Sequence, residues 1–331
     1  MTLASPEATL TAPILRLGSL VARLDATPSL GGDIAYIFGT SLKAPTTDLM
    51  TRVDADIDVR ESEGDDATAV AVPPDGMVVR HTPPVSVIHT EALSVTIDHA
   101  QHPVRIRVRV RPGDRSHYDL CVHLAVVFHK ILFLLDRVVL HAAAVRIAGR
   151  VAIFIGDRGA GKTTTALALS RAGGTVLGED HLILRRSGDG FYVSGCDERW
   201  RVDEKTERHF FDTPLPLEPA NYAGRMKKEV TVRNVASQPF TDERPAQLFF
   251  MRAGNRFDIS PIPRGVTALR LMEEAGKLQR FVDADDRLRF LTLVSDFVPT
   301  ITPYALQRTD DLRDLDRLIE FLRNGAASPS A

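Results

Sequence analysis

The stretch VAIFIGDRGAGKTTTALAL, from Val151 to Leu169, decides the fold of the chain. An apolar run that is typical of a buried strand is followed by a glycine-rich turn and then by residues that favour a helix. The segment Gly156–Thr163 meets the pattern G-x-x-x-x-G-K-[ST] at every fixed position. The sequence therefore predicts a strand, a phosphate-binding loop and a helix, in that order. The alternative is a glycine-rich turn before an ordinary helix, and both flanks of the segment argue against it.

Each fixed position of the loop has a physical reason. Gly156, Gly159 and Gly161 allow the backbone to turn sharply and to direct N–H groups at phosphate oxygens. The following helix directs its positive end at the same anion. Lys162 brings a charge to the β- and γ-phosphates, and the Thr163 hydroxyl can bind Mg²⁺. We therefore expect ATP and Mg²⁺ to bind here. The expected contact residues are Gly156, Asp157, Arg158, Gly159, Ala160, Gly161, Lys162, Thr163 and Thr164.

Composition excludes several classes of protein. The chain has 331 residues, of which 44% are hydrophobic, which is enough for one large domain or two smaller ones. Its 41 basic and 43 acidic residues give a net charge of −2, so there is no overall basic field for nucleic acid. No basic-then-apolar leader begins the sequence, and charged residues interrupt its most apolar region, 121–145. We expect a cytoplasmic protein that binds neither nucleic acid nor a membrane, with its two cysteines reduced.

Two domains are predicted. Residues 1–115 are expected to form a β-rich, antiparallel N-terminal domain, because apolar and polar residues alternate in runs separated by Pro, Gly and Asp. This domain would serve substrate recognition. Residues 116–324 are expected to form the domain that contains the loop, entered by a helix capped at Ser116, and residues 325–331 a disordered tail. Four histidines of the N-terminal domain share no spacing and are expected to be strand or surface residues: His81, His89, His99 and His102.

Two features flank the loop. Val138–Val145 is predicted to be a strand that pairs with the strand before the loop, which would place His141 beside the phosphates. A strand histidine is as often a packed core residue, so both roles stay open. Thr175–Asp180 is predicted to be a buried strand that ends in Glu179 and Asp180. Ligands of parallel sheets bind at the carboxyl ends of strands, so one acid can bind Mg²⁺ while its neighbour accepts a proton from an attacking hydroxyl.

The remaining candidates lie further along the chain. Arg225, Lys227 and Lys228 would stabilise a transferred phosphoryl group or form a solvated edge, and the sequence leaves both interpretations open. Trp200 is the only tryptophan and is expected to pack on a sheet. An amphipathic helix is predicted over Asp310–Arg323.

Residues 137–323 resemble the C-terminal domain of HPr kinase/phosphorylase and its relatives. The resemblance depends on the order of His141, the loop, and the pair Glu179–Asp180, where the family usually has two aspartates. It implies an α/β fold, a P-loop kinase domain of the HPr kinase/phosphoenolpyruvate carboxykinase-like type. It also implies ATP and Mg²⁺ as cofactors, transfer of the γ-phosphoryl group to a serine hydroxyl, and a homo-oligomer.

The resemblance also implies residue roles. Glu179 would be the general base, aided by His141, and Asp180 would bind the metal, although the two acid roles could be exchanged. Lys162 would bind the transferred phosphate. The implied metal ligands are Thr163, Asp180 and Glu198.

The chain departs from the family at several points. Glu179 is one methylene longer than the usual aspartate, and the glutamate-rich signature of the HPr-modifying enzymes does not follow the acid pair. The N-terminal part is also unlike theirs, so HPr is not the expected substrate. We expect a kinase acting on the serine of a peptide, as in the tailoring of ribosomal peptide natural products, or on a small-molecule alcohol. The alternative is a nucleotide-binding sensor or assembly protein without phosphoryl transfer.

Overall fold

The protein has a mixed α/β structure, which confirms the prediction at this coarse level. The computed structural model describes residues 14–17, 20–30, 42–43, 53–62, 77–111, 117–188, 190–195, 199–215, 220–222, 225–231, 238–241, 246–279 and 284–324. Apart from residues 17–19, the chain up to Ala125 forms one compact unit and the chain from Val126 onwards forms another. The division lies within helix α1 (His117–Leu134). Ser116 and the tail from 325 lie outside the described residues.

The described strands of the first unit form a single mixed sheet. In chain order its strands are β1 (Ile14–Leu17), β2 (Leu20–Ala26), β3 (Leu42–Lys43), β4 (Ala55–Glu61), β5 (Val78–Thr82), β6 (Val85–His89), β7 (Leu93–Asp98) and β8 (Val104–Val110). Their order across the sheet is β3-β1-β2-β4-β8-β7-β6-β5. The prediction of an antiparallel sheet is wrong for its centre, because β4 pairs in parallel with both β2 and β8. Alternation along a strand indicates which face is buried, but not the direction of its neighbours.

The second unit combines helices with three sheets. Its elements after α1 are β9 (Arg137–Leu140), β10 (Ala142–Ile147), β11 (Arg150–Gly156), α2 (Lys162–Arg171), β12 (Thr175–Gly178), β13 (Leu182–Ser187), β14 (Gly190–Gly195), β15 (Arg199–Val202), α3 (Glu204–Phe210), β16 (Ala220–Tyr222), β17 (Arg225–Thr231), β18 (Gln238–Thr241), β19 (Ala246–Ala253), β20 (Asp258–Pro261), α4 (Arg264–Gln279), α5 (Ala284–Phe297), β21 (Ile301–Arg308) and α6 (Arg313–Asn324). The strand orders are β12-β10-β11-β19-β21-β20, β18-β14-β13-β9 and β15-β17-β16. Among the described helices, none has the length and apolar character needed to span a membrane.

The directions of the strands in the six-stranded sheet determine where its ends meet. Strands β11, β19 and β21 are parallel to one another. Strand β10 pairs antiparallel with both β11 and β12, so β12 runs in the same direction as β11. The carboxyl ends of these four strands and the amino end of β10 therefore lie at one edge. In parallel sheets this is the edge at which ligands bind.

Both faces of this sheet are buried. Successive side chains of each strand point to opposite sides, and each set packs in a different core. On one face, Ile153 and Ile155 pack with residues of α4, α5 and the four-stranded sheet. On the other, Phe154 packs with residues of α2 and α6. Trp200 belongs to this second core and is fully buried, which confirms that it packs on the sheet. The loop at the sheet edge is thus attached to a rigid three-layer core.

The predicted strand Val138–Val145 is in fact two strands. Strand β9 pairs with β13 in the four-stranded sheet, whereas β10 pairs with β11 in the six-stranded sheet. His141 lies between them, so the prediction that it is part of the strand beside the loop strand is wrong by one residue. A continuous apolar run conceals such a break, because both strands are buried and the sequence pattern does not change where the chain crosses between sheets.

We predict that Gly178→Ala destabilises the protein more than an ordinary surface substitution. A Cβ atom at Gly178 would lie 2.4 Å from Gly195 Cα and 2.5 Å from Leu182 Cδ2, so backbone would have to move. The expected loss is about 1–3 kcal/mol in the free energy of unfolding, measured by urea denaturation. The control is Gly265→Ala on α4, where a Cβ meets nothing within 4 Å. That variant should be as stable as the wild type or slightly more so. Equal effects of the two substitutions would contradict the packing argument.

Candidate functional site

The glycine-rich loop joins the end of β11 to the start of α2. Gly159 and Gly161 have φ values of +89° and +93°, in the left-handed region that a side chain disfavours. Gly161 is also the N-cap residue of α2 and has no side chain with which to cap the helix. The first N–H groups of α2 therefore face the loop, as anion binding requires.

Lys162 lies back over this loop. Its Nζ donates to the carbonyl oxygen of Gly156 at 2.8 Å and approaches that of Asp157 at 3.4 Å. The side chain is only 6% exposed, and this burial lowers the pKa of Lys162. The negative charges of Asp180 and Glu179 oppose that shift. The ammonium group thus occupies the hollow of the loop, with backbone carbonyls as its partners.

The remaining loop residues lie where the pattern predicts. Asp157, Arg158 and Gly159 are exposed, and Ala160 is partly buried. Thr164 lies in the first turn of α2, and its hydroxyl forms a hydrogen bond of 3.0 Å with the hydroxyl of Thr206 on α3. Helix α3 is thereby joined to the base of the loop.

Glu179 is buried against the loop. It follows the last residue of β12, is 5% exposed, and accepts a hydrogen bond of 2.5 Å from the Thr163 hydroxyl. Burial, together with repulsion from Asp180, raises the pKa of Glu179 to about 7. The Thr163 hydrogen bond and the positive charges of Lys162 and Lys227 act in the opposite direction. The carboxyl therefore titrates near neutral pH, and a bound cation would favour its ionised form.

Asp180 forms the second half of the acid pair and has a strained backbone. Its φ is +64°, and His181 N–H donates to Glu179 C=O across it at 2.7 Å, which is a γ-turn. Its Oδ1 lies 2.9 Å from His141 Nε2, with each side chain about one third exposed. Partial burial would raise the pKa of Asp180, but the His141 hydrogen bond and the charges of His181 and Arg201 outweigh it, so this pKa is lowered.

The two acids thus have different partners and different ionisation. Glu179 faces the loop through Thr163, whereas Asp180 faces His141. The structure brings together all of the predicted catalytic side chains that lie in the described residues: His141, Lys162, Glu179 and Asp180. Asp180, one of these four residues, has a positive φ, and such backbone strain is frequent at functional sites.

The predicted metal ligands fit Mg²⁺ in a limited way. Thr163 and Glu179 present two oxygens 2.5 Å apart, with Asp180 adjacent in sequence. Within the described ranges, no group of three or more His, Cys, Asp or Glu side chains could hold a metal ion. Mg²⁺ typically uses one or two carboxylates together with phosphate oxygens and water, so this donor set suits Mg²⁺ bound jointly with a nucleotide. Glu198 lies outside the described residues.

The three basic residues Arg225, Lys227 and Lys228 do not share one role. Lys228 Nζ contacts Glu207 Oε1 at 2.9 Å and the carbonyl oxygen of Leu215 at 3.2 Å, which anchors β17 to α3. Lys227 is its neighbour on the strand, so its side chain points to the opposite side. Its charge acts on both Lys162 and Glu179. The side chain of Arg225 lies outside the described part of the chain.

One charged residue at this edge has no signal in the motif. Arg308 ends β21, and its Nη1 donates to Thr165 Oγ1 on α2 at 3.2 Å. The sequence offers one indication of such a role: Arg308 ends a strand. That strand is buried, and its carboxyl end lies at the same edge as the loop.

In comparisons with known proteins, no family model matches the chain and no curated protein matches it significantly. The function is therefore argued from the chemistry of the site.

We predict that Glu179→Gln stabilises the protein, without ligand, at high pH. The pKa of Glu179 rises from an ordinary 4.5 to about 7, so the folded state binds the proton more tightly than the unfolded state does. Its contribution to stability is complete below pH 4.5 and is lost as the pH rises through about 7. At pH 8 the variant should gain roughly 3 kcal/mol in the free energy of unfolding.

The measurement is urea denaturation at pH 5 and pH 8, with exposed Glu273→Gln on α4 as the control. The control should show no difference from the wild type that depends on pH. A Glu179→Gln effect that is the same at both pH values would show that ionisation of this carboxyl is not responsible.

Proposed function

We propose that the chain is an ATP- and Mg²⁺-dependent kinase that transfers the γ-phosphoryl group to a hydroxyl acceptor. The acceptor is a serine of a peptide or a small-molecule alcohol, and the fold is of the HPr kinase/phosphoenolpyruvate carboxykinase-like P-loop type. One observation carries the proposal: at the sheet edge, one acid of the pair contacts the loop hydroxyl of Thr163 while the other contacts His141. A loop that only bound nucleotide would need the first contact but not the second.

The loop would bind the triphosphate. The N–H groups at the start of α2 face it. Among the described residues, the hydrogen-bond partners of Lys162 are two carbonyl oxygens, which phosphate oxygens would replace. Charge-assisted hydrogen bonds to phosphate are stronger than those to neutral carbonyls, so this exchange is favourable.

Glu179 would serve the metal, which exchanges the roles first inferred for the two acids. It contacts Thr163, the hydroxyl that the motif assigns to Mg²⁺. Bound Mg²⁺ would supply charge neutralisation of the phosphate oxygens. The neutral-range pKa of Glu179 means that proton and metal compete for this carboxylate.

Asp180 would then receive the acceptor hydroxyl. Its lowered pKa keeps it ionised, and the His141 hydrogen bond fixes its orientation. As the acceptor oxygen forms a bond to the γ-phosphorus, the bond from that phosphorus to the β–γ bridging oxygen breaks and ADP leaves. The hydroxyl proton passes to the Asp180 carboxylate. A weakly basic aspartate suffices for this role, because phosphoryl transfer depends mainly on positioning and charge stabilisation.

The test is incubation of the purified protein with γ-labelled ATP, Mg²⁺ and fractionated peptides and metabolites. We predict that label moves to one acceptor, that Lys162→Ala abolishes the transfer, and that Asp180→Asn lowers its rate by roughly 10²–10⁴-fold. Exposed Asp285→Asn on α5 is the matched control and should transfer at the wild-type rate.

Two outcomes would overturn the proposal. Bound nucleotide with no label in any fraction would favour a sensor or assembly protein. Transfer by Asp180→Asn at the wild-type rate would remove Asp180 from the reaction.

A further inference from the structure

Arg308 lies against the turn that leads from the loop into α2. It is the last residue of β21 and is 8% exposed. Its Nη1 donates to Thr165 Oγ1 at 3.2 Å and would lie 2.9 Å from a Cβ at Gly161. The absence of a side chain at Gly161 is therefore what gives the guanidinium its position beside the loop.

This guanidinium has no counter-ion in contact among the described residues. Its other hydrogen-bond partner is the carbonyl oxygen of Thr309, at 3.4 Å. Burial lowers the pKa of Arg308, and Asp314 and Asp310 oppose this shift only through space. Asp314 already accepts hydrogen bonds from the backbone N–H and the hydroxyl of Thr309, both at 2.8 Å. A buried charge without a contacting counter-ion destabilises a protein, so the position of Arg308 suits an anion that the protein itself does not supply.

The order of the strands indicates which part of a bound triphosphate would lie beside Arg308. Strand β11, which leads into the loop, separates β10 and β12 from β19 and β21. The acid pair and His141 lie on the β10 and β12 side, where phosphoryl transfer would take place. Arg308 lies on the β21 side. A phosphate chain with its reactive end beside the acids would extend its nucleoside end towards Arg308.

We propose that Arg308 is a phosphate-binding residue of this loop and contacts the phosphates on the nucleoside side of the triphosphate, which ADP shares with ATP. The inference rests on the proposed function in two respects: the loop binds a nucleotide, and the reactive end of that nucleotide lies beside the acid pair. Arg308 thus complements Lys162, which serves the transferred end. The planar guanidinium suits bidentate contact with phosphate oxygens.

The test compares Arg308→Met and Arg308→Lys with Arg252→Met by calorimetric titration of each protein with ATP and with ADP. Arg252 is an exposed arginine on the adjacent strand β19, with a hydrogen bond of 2.9 Å to Gln307, so its removal matches the loss of charge. Arg308→Met should weaken the binding of ATP and of ADP by the same factor, about tenfold or more. Arg308→Lys should recover part of this affinity, and Arg252→Met should bind both nucleotides as the wild type does.

A purely structural role for Arg308 makes a different prediction for the protein without ligand. If the residue only ties β21 to α2, Arg308→Met should lower the melting temperature and leave the affinity of the folded protein unchanged. Our proposal requires a variant that melts at the wild-type temperature or above it, because a buried unpaired charge has been removed, and that gains less from added ADP.

Several results would overturn the inference. One is an unchanged ADP affinity in folded Arg308→Met, and another is a loss of affinity confined to ATP. A third is an equal loss of affinity in Arg252→Met, which would show that the net charge of the protein, and not a contact with Arg308, is responsible. Absence of nucleotide binding by the wild type would overturn both proposals. Binding that depends on Arg308, without any phosphoryl transfer, would remove the kinase proposal and support this one.

Discussion

The antiparallel pairing of β10 with two neighbours is the constraint on which the candidate site depends. Because β10 pairs with both β11 and β12, these two strands must run in the same direction and end at the same edge. The end of β11 begins the loop, the end of β12 precedes the acid pair, and the start of β10 follows His141. The carboxylates and the loop are therefore neighbours because of backbone hydrogen bonding, and a site built on strand ends is more rigid than one carried by long loops.

Charge is distributed unevenly around this edge. Lys162 and Arg308 are both buried cations whose pKa values burial lowers, and Glu179 is a buried acid whose pKa burial raises. The largest cause of all three shifts is the loss of solvent around an ionised group. The protein without ligand is thus held away from its electrostatic optimum at several neighbouring positions. A polyanion with a divalent cation would favour the charged form of each group, which is how a binding site stores part of its affinity.

What could be predicted from the sequence depended on the range of the contacts. The loop and α2 were predictable because their pattern is local and each fixed residue answers a backbone requirement. The acid pair was predictable as a strand end, but the sequence could not assign its partners, since the Thr163–Glu179 and His141–Asp180 contacts depend on how three strands align. The break at His141 was concealed because both flanking strands are buried. Arg308 was missed because its contact with Thr165 spans 143 residues, and no local pattern records such a contact.

The close approach of Gly178 to Gly195 has a mechanical consequence. A Cβ at Gly178 would meet backbone atoms of Gly195, so the six-stranded and four-stranded sheets meet at this point with no side chain between them. Side chains can absorb small displacements by changing rotamer, whereas directly packed backbones transmit them. Gly178 immediately precedes Glu179, and Gly195 ends β14, which pairs antiparallel with β13. A displacement of β13 and β14 would therefore be transmitted directly to the acid pair and would change the geometry of the site.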